Sequence, residues 1–395
     1  MAHQEKTIFM QEEQTAVVGG LGKREPGWLQ EFREGQRKYV EALPLQKSVY
    51  TNLGKLAEKL DWKPAGNGHA VKLQASAGVQ VMALEEALRT DAEFVQKCFE
   101  RVAENAPADR FEAYAKALFT ECFFVRVRAG TENADVSIVI DAADNAMVLG
   151  FVVVEENASA QVFETLKGNA QCMHYGLELM VRGNARLDFA SLEHAGKEST
   201  VFMHKNSVLE NNARLSLGLA WLGGKEVKAT LLHHLRGKGS ELQDQQVLYG
   251  KQGQLFDIRQ VNMHENENTQ GMTTLKEVLD GKARQVYQGM IKILKNGAQT
   301  QALLQAHGLM LSKEASSTNI PELEIENNNV KATHSASVHH IDEEQLFYLQ
   351  AKGLGEKEAK QMIILGFLDS VANKMRHPKA AEAFITAIAQ KHGET

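Results

Sequence analysis

The stretch NADVSIVIDAADNAMVLGFVVV, residues 133–154, decides how this chain folds. It contains two short apolar segments, VSIVI (136–140) and MVLGFVVV (147–154), and each follows an Asn-Ala dipeptide. Valine, isoleucine and phenylalanine are enriched in β-strands, whereas asparagine tolerates the tight backbone of a turn. The stretch therefore predicts consecutive strands joined by asparagine turns.

The same pattern recurs along the middle of the chain, where ARLSLGLAWL (213–222) is a further strand-like segment. The Asn-Ala dipeptide, with equal intervals between its first four copies, begins at Asn133, Asn145, Asn157, Asn169, Asn184 and Asn212. A short repeat of strand and turn is typical of a β-solenoid, in which each turn buries its inward side chains on the next. An antiparallel sandwich with coincidental Asn-Ala turns is the alternative, because strand periodicity alone does not fix topology.

The region before these strands is predicted to be mostly helical. Apolar residues recur at helical spacing in three segments, WLQEFREGQRKYVEAL (28–43), residues 83–105 and residues 110–124. Between the first two, GNGHAVKLQASAGVQVM (66–82) predicts a short strand-like insertion punctuated by glycine.

The chain becomes helical again after about residue 340. In DEEQLFYLQAKGL (342–354), Asp342 is placed to cap a helix and Gly353 to end it. Two helices follow, over 356–377 and from Pro378 onwards. The broad apolar face of residues 356–375 has two interpretations, packing on the end of the solenoid or docking of a partner.

Composition argues against several classes of function. The net charge is −6, so a general electrostatic grip on nucleic acid or on an anionic membrane is not expected. No apolar run is long enough to span a bilayer, and the N-terminus lacks the basic-then-apolar order of a signal peptide. The three cysteines (Cys98, Cys122 and Cys172) are too widely spaced for a CxxC knuckle or a disulfide framework. We therefore expect a cytoplasmic protein in a reducing compartment.

Motifs of catalysis are also missing. No GxxxxGK[ST] occurs, since the glycine-rich segment at Gly19 and the Gly-Lys pairs at Gly224 and Gly237 have the wrong spacing. GxSxG and HExxH are absent as well. A secreted β-helix enzyme acting on carbohydrates would need paired carboxylates in a groove, and no convincing pair is visible. We therefore expect a non-catalytic protein.

A long series of short motifs lies between Val286 and Phe367. It comprises VYQGMIKI (286–293), AQTQALLQ (298–305), PELEIENNNVKATH (321–334) and DEEQLFYLQAKG (342–353). Their order and spacing resemble the SufB/SufD family of iron–sulfur cluster assembly scaffold proteins. Residues 264–289 and EPGWLQEFR (25–33) extend the resemblance.

This resemblance implies a mainly β fold, in which a right-handed parallel β-helix is flanked by N-terminal and C-terminal α-helical domains. The same order follows from the segments above, so we assign residues 1–125, 126–340 and 341–395 to the three domains. The family also implies a partner, the ABC-type ATPase SufC, on the C-terminal domain. The residues expected to bind this ATPase are Phe347, Tyr348, Leu349, Gly353, Met362, Ile363 and Phe367.

Within the family, the chain is more similar to the SufD type than to the SufB type. SufB-type members supply a cysteine late in the β-helix, and this chain has none after Cys172. The resemblance therefore implies a heterodimer with a SufB-type paralogue, with His334 at the interface facing the partner's cysteine. An imidazole can ligate iron there, although His334–His339 (HSASVH) departs from the family's H-G-A-T-V-G.

The family implies no stably bound cofactor. We expect an iron–sulfur cluster to form transiently at the partner interface, with sulfur donor proteins acting indirectly. A homodimeric scaffold that works without SufB is the alternative.

Other candidate ligands are weaker. Adjacent histidines on a strand point to opposite faces, which argues against metal sites at His339/His340 and at His233/His234. His264, with two glutamates close behind it, is interpreted as part of a turn. The three cysteines are interpreted as small buried hydrophobic residues, although each could serve as a thiolate ligand.

Overall fold

Alternate strands of the chain pair in parallel and build a β-solenoid of about eight turns. The computed structural model describes residues 14–18, 25–44, 51, 69–143 and 145–393. One turn carries the chain from Thr200 to its neighbour Glu226, and a later, longer turn carries it from Arg284 to Ser316. The parallel pairing confirms the predicted solenoid and excludes the antiparallel sandwich. The glycine-rich segment at Gly19 lies outside the described residues.

The strands form two facing sheets. The ten-stranded sheet has the order β1-β2-β5-β7-β9-β11-β13-β15-β17-β19, and the nine-stranded sheet has the order β18-β16-β14-β12-β10-β8-β6-β4-β3. The strands are β1 Gln14–Val18, β2 His69–Ala75, β3 Val79–Ala83, β4 Glu121–Val127, β5 Ala134–Ala142, β6 Ala146–Val154, β7 Ser159–Gly168, β8 Cys172–Val181, β9 Arg186–Ala195, β10 Thr200–Leu209, β11 Arg214–Trp221, β12 Glu226–Leu235, β13 Glu241–Gly250, β14 Leu255–His264, β15 Gln270–Leu279, β16 Arg284–Ile293, β17 Gln301–Met310, β18 Ser316–Ile325 and β19 Lys331–His340.

Helices cover the outer faces of both sheets. Their bounds are α1 Gly27–Ala42, α2 Leu84–Thr90, α3 Ala92–Ala103, α4 Arg110–Leu118, α5 Glu343–Ala351, α6 Glu356–Ala372 and α7 Ala380–Gly393. Helices α1, α2 and α3 pack on the nine-stranded sheet around Phe99, Phe124 and Phe151, and α4 packs on the same sheet against β6, β8 and β10. Helices α6 and α7 pack on the ten-stranded sheet around Val247 and Phe384. The molecule therefore has four layers, with the solenoid in the middle.

The space between the two sheets, the lumen, is filled by inward side chains. Most are aliphatic or aromatic, as shown by the fully buried Leu177, Phe189 and Ile258. Alternation of inward and outward residues along each strand produces this core. A buried charged group interrupts it: Lys205 of β10 contacts Glu164 of β7 and lies 3.0 Å from a carboxylate oxygen of Glu193.

The asparagine turns form one edge of the solenoid. Asn133, Asn157, Asn184 and Asn212 all have positive φ, between 54° and 58°, in the left-handed region that asparagine tolerates better than most residues. Each of the four lies between a strand of the nine-stranded sheet and the next strand of the ten-stranded sheet. Asn145 and Asn169 lie at the opposite edge and do not share this conformation. The regular spacing seen in the sequence therefore combines turns from two different edges.

Two predicted helices of the N-terminal region differ from the observed ones, and the helix predicted over 356–377 ends at Ala372. The segment 110–124 is helical only to Leu118, because residues 121–127 form β4 and pair with β6. The segment 83–105 is interrupted at Asp91, whose carboxylate accepts a hydrogen bond from the backbone N–H of Phe94 and caps α3. Residues 121–127 form a strand and do not extend the helix, because pairing with β6 satisfies backbone N–H and C=O groups that the end of a helix leaves unpaired.

The C-terminal helices lie on a face of the solenoid, not on its end. Ile364, Leu368 and Val371 of α6 are fully buried against this face, and α6 contacts β13 and β15. One interpretation of the sequence places this apolar surface on the end of the solenoid. It does pack on the solenoid, but on the face of the ten-stranded sheet, so the predicted location is wrong. Because the apolar side of α6 packs on this face, α6 does not cover the end of the solenoid.

Asp342 and Gly353 occupy the predicted ends of the first C-terminal helix. The carboxylate of Asp342 accepts a hydrogen bond from the backbone N–H of Glu344 at 2.9 Å. Gly353 has φ of +96°, which most other residues adopt only with strain. Both predictions are confirmed.

Candidate interface at the open end of the solenoid

The two ends of the solenoid differ. At the N-terminal end, β3 pairs antiparallel with β4, and β2 pairs antiparallel with β5. These antiparallel strands close the end where the parallel repeat begins. At the other end, β18 and β19 are the last strands of their sheets, and no described strand pairs with their outer edges. We call the surface formed by β18 and β19 the open end.

The open end offers both backbone and side-chain contacts. The outer edge of a terminal strand carries N–H and C=O groups that can pair with a strand from another chain. Apolar side chains accompany them, since Leu323, Ile325 and Val338 are 39%, 43% and 46% exposed. Equivalent positions one turn earlier, such as Ile291 and Ile293, are fully buried. Each earlier turn of the solenoid is covered by the turn that follows it. Within the described part of the chain, no further turn covers β18 and β19.

His334 lies on β19 within this surface. It pairs with Leu304 of β17, a buried residue of the lumen, so its side chain follows the inward row of the solenoid. His334 is half-buried, and its Nδ1 atom is buried with no hydrogen-bond partner among the described residues. An imidazole nitrogen without a partner at an uncovered end can accept a ligand or a donor from a second chain.

A carboxyl group lies in the lumen two turns below β19. Glu277 of β15 is fully buried, and burial raises its pKa to about 7. One of its oxygens accepts a hydrogen bond from Ser317 of β18. Gly308, between Glu277 and Val338 in the sheet, has no side chain that would separate the carboxyl from the terminal strand.

The residues predicted to bind the ATPase fall into two groups. Phe347, Tyr348 and Met362 are 71%, 60% and 54% exposed, which is unusual for side chains of this size and type. Leu349 is half-buried, and Gly353 is exposed at the end of α5.

Ile363 and Phe367 pack partly against the sheet beneath α6. The ammonium of Lys276 lies 4.3 Å from the centre of the Phe367 ring and donates a hydrogen bond to the Phe367 carbonyl oxygen. These two side chains therefore hold α6 in place. Of the exposed residues, Met362 lines an apolar groove together with Leu354, Leu365 and Ile385.

Three other candidate histidines, His233, His234 and His264, have structural partners. His233 faces the lumen and contacts Ser207 at 2.9 Å, whereas His234 contacts Glu265 at 2.6 Å on the outer face. Opposite orientation of this pair is thereby confirmed. His264 is buried and contacts Thr269 at 2.8 Å.

The three cysteines are buried and free. Burial raises the pKa of the Cys98 and Cys172 thiols to about 12, and that of Cys122 well above its ordinary value. Cys98 and Cys122 belong to the apolar cluster beneath the N-terminal helices. This agrees with their interpretation as small buried hydrophobic residues.

Comparison with known proteins agrees with the motifs and the solenoid. The family described as "SUF system FeS cluster assembly, SufBD core domain" matches residues 139–367, more than half of the chain. The chain belongs to the SufB/SufD family. The matched region begins in β5, covers the rest of the solenoid and ends in α6.

Individual SufB/SufD relatives are distant. The Escherichia coli iron–sulfur cluster assembly protein SufD is 26% identical over 239 residues, covering 60% of this chain and 56% of that protein. The match thus spans just over half the length of the E. coli protein. Iron–sulfur cluster assembly SufBD family proteins of Staphylococcus epidermidis and Staphylococcus saprophyticus are each 22% identical over 88% of this chain and 74% of their own lengths.

Bilayer-spanning helices are not found in the described part of this SufB/SufD chain, since none of its helices is both long and apolar enough.

One buried cluster was not anticipated from the sequence. It joins Glu112 and Lys116 of α4 to Glu178 of β8 and His204 of β10. The only sequence signal was the placement of Glu112 and Lys116 one helical turn apart, which is common on helices.

Proposed function

We propose that this chain is a SufD-type scaffold subunit of the SUF system, which pairs with a SufB-type paralogue through the open end of its solenoid. The observation that carries the proposal is the uncovered last turn, formed by β18 and β19, in a chain of the SufB/SufD family. Parallel strand edges and half-exposed aliphatic side chains suit an obligate interface with a second solenoid.

His334 is the residue proposed to act at this interface. Its Nδ1, which lacks a partner among the described residues, lies at the end of the inward row, where a cysteine thiolate of the partner could share an iron ion with it. The cluster is cargo in this proposal, assembled transiently and passed on, and the chain itself holds no resident cofactor. Sulfur reaches the interface through the partner, and sulfur donor proteins act on this chain only indirectly.

The exposed part of the C-terminal helices is proposed to bind the ABC-type ATPase SufC. Met362 lines an apolar groove with acidic and amide side chains at its rim, among them Glu358 and Asp369, and the aromatic side chains of Phe347 and Tyr348 are exposed on α5. Exposed aromatic and methionine side chains are typical anchors of protein interfaces. In this proposal ATP hydrolysis takes place in the partner, and this chain transmits the movement.

Co-expression with the SufB-type and SufC-type proteins of the same genome, followed by light scattering of the purified assembly, tests the proposal. We expect one copy of this chain with one SufB and two SufC. A homodimer that ignores SufB would overturn the SufD role and support the alternative of a scaffold that works alone. A monomer that binds neither protein would refute both.

A further inference from the structure

A cluster of charged and polar side chains is buried between α4 and the outer face of the nine-stranded sheet. The ammonium of Lys116 lies 2.6 Å from a carboxylate oxygen of Glu112 and 3.0 Å from one of Glu178. The side-chain amide of Asn206 donates hydrogen bonds to the same two oxygens, at 2.8 Å and 3.1 Å. All four side chains are buried, so helix and sheet are joined by charged groups in place of apolar packing.

His204 is aimed into this cluster. Its side chain is 3% exposed, and its Nε2 atom lies 3.7 Å from the nearer carboxylate oxygen of Glu178. Nε2 has no hydrogen-bond partner among the described residues. A buried polar atom that lacks a partner costs free energy unless something else satisfies it. The Oδ1 atom of Asn206 is also buried and has no hydrogen-bond partner among the described residues.

The sequence makes room for this imidazole. Gly176 of β8 pairs with His204 of β10 one turn later. A Cβ atom at position 176 would overlap Nε2 and Cε1 of the ring, so any other residue would displace the histidine. The neighbouring pair in the same register is Glu178 with Asn206. The pairing of β8 with β10 therefore places all the sheet residues of the cluster side by side.

The charges and the space in the cluster suit a divalent ion. Two carboxylates face a single ammonium, which leaves one negative charge in excess, whereas one divalent cation would neutralise both carboxylates. Potential ligand atoms of Glu112, Glu178 and His204 lie within 4.8 Å of one another. Glu112 and Glu178, with Lys116 and Asn206, line a cavity of about 20 Å³, and this volume holds about one water molecule or one ion.

We propose that Glu112, Glu178 and His204 form a binding site for one divalent first-row transition-metal ion, and that Lys116 is a resident cation which the ion displaces. Two carboxylates and an imidazole are ligands common to Mn²⁺, Fe²⁺, Co²⁺ and Zn²⁺ sites. The buried Nε2 atom of His204, which has no hydrogen-bond partner among the described residues, is the nitrogen available to an ion. The bound ion ties α4 to two consecutive turns of the solenoid, far along the chain from the open end.

The lumen provides a matched comparison. Lys205 contacts Glu164 and Glu193 there, with burial close to that of Lys116 and its two glutamates. Among the described residues, no histidine belongs to the lumen cluster, whose other members supply only hydroxyl groups. A metal site that depends on His204 should therefore exist beside Lys116 and not beside Lys205.

Titration of the full-length, metal-free chain with Co²⁺, followed by the visible d–d absorption of the ion, tests the proposal. We expect one equivalent to bind, with affinity weakened about tenfold or more by Glu178→Gln and by His204→Ala. Lys116→Met removes the competing cation, so we expect Co²⁺ to bind this variant more tightly than the wild type and to raise its melting temperature.

The control is Lys205→Met, which also leaves two buried glutamates without a cation. We expect Co²⁺ to raise its melting temperature no more than that of the wild type. Equal effects of Co²⁺ on the two lysine variants would overturn the proposal, as would Co²⁺ binding that Glu178→Gln leaves unchanged. Because Glu178→Gln preserves size and shape, the test does not depend on a variant that fails to fold.

Discussion

The side-chain amide of Asn184 donates a hydrogen bond to the side-chain oxygen of Asn157, one turn earlier in the solenoid, at 3.1 Å. Asn212 repeats the contact with Asn184 at the same distance. The three residues thus form a ladder along one edge, and each has positive φ. A side chain that tolerates this backbone also bonds to its equivalents in neighbouring turns, which explains why asparagine recurs there.

Replacement of Asn184 should separate these two effects. Asn184→Ala places a Cβ-bearing residue without a polar side chain at positive φ and removes the ladder bonds, so we expect a loss of about 2 kcal/mol in the free energy of unfolding. Asn184→Gly removes only the ladder bonds, at an exposed position, and should cost about 0.5 kcal/mol. Urea denaturation followed by circular dichroism measures both. Equal losses would show that the backbone conformation contributes nothing.

His334→Ala should impair cluster assembly without disrupting the complex. We expect anaerobic reconstitution in the presence of the SufB-type and SufC-type partners to yield about tenfold less cluster, because a ligand to iron is lost. His339→Ala is the control, since His339 is exposed on the same strand. Visible absorption of the cluster is the measurement, and normal cluster formation by His334→Ala would exclude the proposed role.

Val338→Glu should weaken pairing at the open end. Val338 is 46% exposed, so the change should alter the stability of the isolated chain by only about 0.5 kcal/mol. In a buried interface, however, the new carboxylate would lose its hydration, and we expect affinity for the SufB-type partner to fall about tenfold or more. Tyr39→Glu, at a residue of α1 that is 39% exposed, is the control in a pull-down or calorimetric titration. Similar affinities of the two variants would place the interface elsewhere.

Met362→Glu should weaken binding of the SufC-type ATPase by about tenfold or more and leave pairing with SufB intact. Met362 is 54% exposed beside the apolar groove, and a carboxylate there would be desolvated by an apolar partner surface. Surface plasmon resonance with immobilised ATPase gives the affinity, again with Tyr39→Glu for comparison. Undiminished binding by Met362→Glu would contradict docking at this groove.

Asp244→Asn should flatten the dependence of stability on pH. Asp244 is buried in the lumen, where burial raises the pKa of its carboxyl to about 7, from an ordinary value of 3.8. The folded state therefore holds a proton that the unfolded state releases, so the free energy of unfolding falls as pH rises from about 4 to about 7.

An asparagine at position 244 keeps an oxygen that accepts the hydrogen bonds from Gln246 and Gln260, and it does not ionise. We expect the variant to be more stable than the wild type at pH 8, with a smaller difference at pH 5. Urea titrations at both pH values are the measurement. Parallel pH profiles of the two proteins would mean that Asp244 does not titrate in this range.

Much of the fold could be predicted from the sequence, because its signals are local. β-branched runs and asparagine turns indicated strands at 136–140 and 147–154, and both lie within observed strands. Asp342 and Gly353 marked the ends of a helix for reasons confined to a few residues. The helix predicted over 110–124 failed at its end, because β4 pairs with β6, a full turn later, and no local signal records that pairing.

The candidate site could be predicted only in part. The sequence identifies His334 through a family motif. Its position in the inward row of the uncovered last turn is known only from its pairing with Leu304. For His204 and Glu178, the sheet residues of the buried cluster, the sequence held no signal. His204 and Gly176 are a full turn of the solenoid apart in sequence, and only the parallel register of β8 and β10 makes them neighbours.

By itself, the sequence of this chain determined the order of helical, strand-rich and helical regions, the repeating turn and the family motifs. These depend on backbone preference and side-chain periodicity, which act over a few residues. Only the tertiary structure decided which sheet each group of helices covers, which end of the solenoid is open and which charged groups share a buried site. Those outcomes depend on the register between successive turns of the solenoid, a long-range property fixed by packing in the lumen and not by any single segment.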